Sequence, residues 1–112
     1  SYIEQIHIIG DKRNFLTAII VPNFDSVINY LKEIKNNISD PNAIVEHPDV
    51  IELFNEEIEK SMIDFARFEK IKKFTLIPNP FSIEKGEMTP KMSIVRKVVE
   101  KNYSELINEM YN

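Results

Sequence analysis

Apolar and polar residues first alternate at Gln5-Ile6-His7-Ile8, and after Gly10-Asp11-Lys12-Arg13-Asn14 the run Phe15 to Val21 is rich in β-formers up to Pro22. Two such runs joined by five residues that include a glycine predict a β-hairpin. From Asn23 or Asp25, either able to cap a helix, Val27, Ile28, Leu31 and Ile34 recur at helical spacing, which predicts a first helix ending near Asn36. Residues 37–46 mix polar side chains with Pro41 and read as a loop. His47-Pro48 then opens a second helix with proline at its favoured first position, and Val50, Ile51, Phe54, Ile58, Met62 and Phe65 give it one long apolar face. Lys72 to Ile77 alternates as a third strand, with Phe74 and Leu76 on one side and Thr75 and Ile77 on the other. A polar connection follows. Thr89-Pro90 is expected to cap a third helix carrying Ile94, Val95, Val98 and Val99, and Leu106, Ile107, Met110 and Tyr111 form a last amphipathic turn or two.

These elements predict an α+β fold: a small, three-stranded, mainly antiparallel sheet, made of the N-terminal hairpin plus a third strand, covered on its apolar face by about three helices. The expected core is Ile6, Ile8, Leu16, Ala18, Ile20, Phe54, Ile58, Phe74 and Leu76.

Composition narrows the classes of function. The 112 residues suit one domain, 1–112. With 14 basic against 18 acidic residues the net charge is −4, which argues against a nucleic-acid partner, since phosphate binding needs clustered positive charge. The absence of cysteine removes disulfides, thiolate metal sites and thiol nucleophiles together. No apolar run approaches the roughly 20 residues of a membrane span, so the chain reads as cytoplasmic, a peripheral membrane setting in a parent protein being compatible with it. It starts at Ser1 without methionine and reaches a strand at once, which reads as part of something longer.

Little else in the sequence suggests catalysis by the chain alone. His7, on the polar side of a strand, and His47, at a helix start, have no ligand spacing around them, so both read as solvated or capping and no metal site is expected. Glu56, Glu57 and Glu59 read as a solvated helix face. The connection from Ile77 to Lys97 stands out. Pro78, Pro80 and Pro90, half of the six prolines, and Gly86, one of two glycines, constrain its path. Lys85, Lys91, Arg96 and Lys97 gather around it and the expected helix start, where free N–H groups and the dipole favour anions. On these grounds alone the cations either hold a phosphate or carboxylate or merely keep a loop soluble, and Gly86 is equally a turn residue needing positive φ.

Residues Gly86-Glu87-Met88-Thr89-Pro90-Lys91-Met92-Ser93-Ile94-Val95-Arg96-Lys97-Val98-Val99 resemble the C-terminal motif of the adenylate-forming, AMP-binding enzymes, specifically the long-chain fatty acyl-CoA synthetases. The stretch from Ile3 to Pro22 is similar to the hairpin of the same family, and Phe74 to Pro78 with Phe81-Ser82 resembles its third strand and the start of the loop. The likeness spans essentially the whole chain. It implies the mobile C-terminal domain of a two-domain ligase that uses ATP and Mg2+, bound mainly by an N-terminal adenylation domain, to turn a fatty acid into an acyl-adenylate. The acyl group then passes to coenzyme A. In such enzymes a lysine of this motif enters the active site for the first half-reaction, and the domain rotates for the second.

Aligned without gaps, the family's lysine falls on Ser93, while a lysine stands two residues earlier at Lys91. The resemblance leaves two readings: Lys91 takes the catalytic role from a shifted backbone, or the lysine is lost and adenylation is poor. Lys85, Gly86, Ser93, Arg96 and Lys97 are then weaker candidates for substrate or phosphate contacts, and the isolated chain is expected to be inactive. A competing class is a free-standing interaction module that binds an anionic partner through the Lys85–Lys97 loop.

Overall fold

The computed structural model describes residues 1–61 and 70–112. Strands β1 (Ile3–Ile9) and β2 (Leu16–Pro22) form the expected antiparallel hairpin, with Ile6 opposite Ile20 and Ile8 opposite Ala18. Helices α1 (Phe24–Glu33), α2 (Pro41–Ile44) and α3 (Pro48–Ser61) follow, and then β3 (Ile71–Leu76), α4 (Arg96–Asn102) and α5 (Ser104–Tyr111). The sheet order is β1-β2-β3. β3 runs parallel to β2, pairing Phe74 with Ala18 and Leu76 with Ile20, a geometry made possible by the long helical crossover between them.

Local signals set the helix starts. Asn23 caps α1 by accepting from the Ser26 N–H, and His47 caps α3 by accepting from the Asp49 N–H at Nδ1. α1 stops at Glu33, slightly short of Asn36, where Lys35 turns to φ 62° and the Asn36 N–H reaches back to the Leu31 carbonyl. The stretch expected to be only loop contains α2, one turn capped by Asp40, which seats a fully buried Ile44. Met62 and Phe65, expected to extend the second helix's apolar face, lie outside the described residues.

The sheet is buried on both faces rather than one. Ala18, Ile20, Phe54, Ile58 and Leu76 pack with Val27, Leu31, Ile44 and Val50 under α1–α3, as expected, with Ile6, Leu16 and Phe74 partly buried around them. On the opposite face Ile9, Ile19, Val21 and Ile77 pack with Phe81, Met88, Val99, Ile107 and Met110. β2 makes this possible because every residue after Leu16 is buried. One expected core position, Ile8, and one position of the second helix's expected apolar face, Ile51, turn outward. Ile8 is 43% exposed, since the first cluster reaches Ile3 and Ile6 on the edge strand but stops before the hairpin end, and Ile51 is 38% exposed while Leu53 turns inward.

The third helix begins later than expected. Thr89-Pro90-Lys91-Met92 closes a β-turn in which the Met92 N–H donates to the Thr89 carbonyl, with proline at its preferred second position. The Thr89 hydroxyl therefore accepts from the Ser93 N–H inside a turn instead of capping a helix, and α4 starts at Arg96.

Candidate functional site

The loop between β3 and α4 has a buried base and an exposed tip. Its base is apolar: Ile77 and Phe81 are almost fully buried, and the Phe81 ring meets Tyr103 edge-on at 6.2 Å. Gln5 of β1 holds this base from the sheet side, accepting from the Phe81 N–H at 2.8 Å and reaching the Met88 sulfur at 3.3 Å.

Two nested turns build the rest. In the first, Gly86 at φ 74° donates to the Ile83 carbonyl, while the Glu87 and Met88 N–H groups both reach the Ser82 carbonyl. In the second, Met88 bridges Ile94, the Thr89 N–H donates to the Ser93 carbonyl and the Val95 N–H to the Glu87 carbonyl. Met92, at φ 67° and 66% exposed, sits beside Lys91 at the tip. Lys91 and Ser93 are both exposed.

The candidate cations do not act as one cluster. The Lys85 ammonium leans back toward the buried Glu87 carboxylate at 3.9 Å. Arg96 bonds Glu100 at 3.1 Å along α4. Lys91 and Lys97 are exposed and, among the described residues, form no ion pair within 4.0 Å. Lys91 therefore sits in a loop turn, separated from the helix start that would have supplied a dipole. A groove of about 520 Å³ along β3, bordered by Ile51, Phe74, Thr75, Ile77 and Leu106, includes none of these residues. Among the described residues, no three histidine, aspartate or glutamate side chains converge as metal ligands.

His7 departs from its expected solvated role. It is buried, and its Nε2 lies 2.8 Å from Glu100, because the second core covers the face of β1 on which it stands. Burial pushes the Glu100 carboxyl up, but the hydrogen bonds and charges of His7 and Arg96 outweigh this and hold it below its ordinary value. Glu87 was not expected to matter either. It is 1% exposed, accepts from the Ser82 N–H at 3.3 Å and from the Asn102 amide at 3.0 Å, and has no sequence signal beyond its place after Gly86. Burial, and secondarily the nearby Glu87 charge, push the Tyr103 hydroxyl up.

Comparison with known proteins agrees with this architecture. The AMP-binding enzyme C-terminal domain family matches residues 1–112. Among individual proteins, the long-chain-fatty-acid–CoA ligase FadD15 of Mycobacterium tuberculosis is 26% identical over 111 residues, covering 98% of this chain and 18% of the ligase. The chloroplastic long-chain-fatty-acid–[acyl-carrier-protein] ligase AEE15 of Arabidopsis thaliana is 31% identical over 121 residues, covering 98% of this chain and 13% of its own length. The chain thus spans less than a fifth of these relatives. In structure it superposes on the A-PCP didomain of the carboxylic acid reductase from Segniliparus rugosus, solved with AMP, with a TM-score of 0.74 at 21% identity, over 98% of this chain and 14% of that one. That likeness is one of fold.

Proposed function

The chain belongs to the AMP-binding enzyme C-terminal domain family, and from that premise we propose that residues 1–112 are the C-terminal domain of an ATP-dependent long-chain fatty acid–CoA ligase. The observation that carries the reading is the loop: a base fixed to the sheet and to α4, and a tip that offers an exposed lysine with no carboxylate partner within 4.0 Å among the described residues. Its named relatives are long-chain-fatty-acid ligases, which supports the substrate class.

In this reading Lys91 enters a cleft of the N-terminal adenylation domain and sets its ammonium against the carboxylate and phosphate oxygens between which negative charge shifts as the acyl-adenylate forms. A preorganised cation there lowers the barrier electrostatically. Lys85, Gly86, Ser93, Arg96 and Lys97 frame the approach and contribute weaker phosphate or interface contacts. Rotation of the domain then presents another face while the acyl group passes to coenzyme A. ATP, Mg2+ and the fatty acid belong mainly to the N-terminal domain, so this chain alone is inactive. The parent works in the cytoplasm. No helix among the described residues is long and apolar enough to cross a membrane.

The test is Lys91→Ala in the full-length parent. Acyl-adenylate formation should fall roughly 100-fold, the scale of losing one electrostatic donor, with far less effect on thioester formation from supplied acyl-adenylate. Wild-type rates in both half-reactions would remove Lys91 from the mechanism.

A further inference from the structure

A fully buried carboxylate beneath an exposed loop needs a reason, because a buried charge is costly unless its oxygens are bonded. Glu87 stands at the centre of the loop, between the two nested turns, and is 1% exposed. Its Oε1 accepts from the Ser82 N–H at the loop's start, with the Lys85 ammonium 3.9 Å away, and its Oε2 accepts from the Asn102 side-chain amide at 3.0 Å, at the end of α4. Its own carbonyl takes the Val95 N–H immediately before α4. One residue thus ties the loop's beginning, its middle and its exit to the helix behind it. No buried side-chain nitrogen or oxygen among the described residues lacks a partner, so both oxygens of this carboxylate are bonded from within the chain.

We infer that Glu87 is a positioning residue: with Asn102 it forms a clasp that holds the second turn in register on α4 and so fixes where Lys91 is presented. The consequence for Lys91 rests on the function proposed above; the clasp itself does not. Lys91 lies four residues beyond Glu87, on a turn whose bonds run through Met88, Thr89 and Ser93. Releasing Glu87 frees both strands of that turn at once. A lysine that must meet reacting oxygens within a fraction of an ångström loses rate when its support loosens.

The experiment uses the full-length parent in wild-type form and as Glu87→Ala, Glu87→Gln and Asn102→Ala. Hydrogen exchange is read amide by amide over residues 77–95, and the two half-reactions are measured separately. Glutamine can still accept from the Ser82 N–H, and the Asn102 amide can turn to present its oxygen, so Glu87→Gln should stay within about threefold of wild type. Glu87→Ala should speed exchange of the Met88, Thr89, Ser93 and Val95 amides by about tenfold or more while the Ile77 amide, bonded to Ile20 in the sheet, stays protected. Acyl-adenylate formation should fall by a similar factor, with thioester formation from supplied adenylate retained. Asn102→Ala, on an exposed residue, should give the same pattern more weakly and serves if Glu87→Ala does not fold. Unchanged exchange in both alanine variants would overturn the clasp. Loosened exchange with undiminished adenylate formation would uphold the clasp and overturn the role given to Lys91.

Discussion

The Nε2 of His7 and the Oε2 of Glu100 lie 2.8 Å apart, joining the edge strand β1 to α4 across 93 positions of sequence. Arg96 approaches the same Glu100 oxygen at 3.1 Å, so one carboxylate gathers two donors at the base of the helix that follows the loop. Because the folded-state value of Glu100 is lowered from 4.5, its contribution to stability is fully present above that value and is lost as pH falls through the folded one. The urea midpoint of the domain should therefore decline on acidification below about pH 5, and Glu100→Gln should flatten that part of the profile. An acid limb identical in the variant would show that other carboxylates govern it.

Ser93 is exposed and donates its N–H to Thr89 within the second turn, so a longer side chain there meets no wall. In the parent carrying Lys91→Ala, adding Ser93→Lys should restore acyl-adenylate formation by about tenfold, one electrostatic contact partly regained. A lack of rescue in a folded double variant would mean that the ungapped placement of the family's lysine on Ser93 is wrong for this chain.

Phe54 lies in the first core and Ile107 in the second, on opposite faces of the same sheet. Each truncation leaves a cavity: Phe54→Ala should cost about 3–5 kcal/mol and Ile107→Ala about 2–5 kcal/mol in chemical denaturation. Both variants should unfold in one transition, with fluorescence and circular dichroism superimposed. Two separated transitions would mean that the layers are independent.

Gly86 tests conformation apart from space. A Cβ there would meet only Val98 at 3.7 Å, an ordinary contact, but at φ 74° an L side chain is strained. Gly86→Ala should therefore destabilise the domain by about 1–2 kcal/mol. A neutral result would indicate that the first turn rearranges without penalty.

The hairpin, the α1 and α3 caps and the alternation of β3 could be read from sequence because each depends on neighbours a few residues apart. What could not be read depends on distant partners. Ile19 and Val21 look like the outward side of β2 until α4 and α5 are placed against them. His7 looks solvated until Glu100 arrives from residue positions far down the chain. Thr89-Pro90 fits a helix start and a β-turn equally well by local chemistry; the bridge from Met88 to Ile94 decides for the turn. In the candidate site, Lys91 and Gly86 were visible as residue types in a constrained loop, whereas the buried Glu87 was not, since only Asn102 reveals its surroundings.

The double burial of β2 raises a problem of register. A strand with one wet face is held in place by its own alternation, because slipping by one residue would put apolar side chains in water. β2 lacks that safeguard: a slip would exchange one set of apolar residues for another. Thr17 marks the correct alignment. Its hydroxyl meets the Tyr111 hydroxyl at 3.2 Å, and that tyrosine in turn bonds the Phe15 carbonyl at 2.7 Å while Arg13 lies over its ring. Tyr111 of α5 thus acts as a key for the second strand, and a misaligned β2 would bury a threonine with no partner.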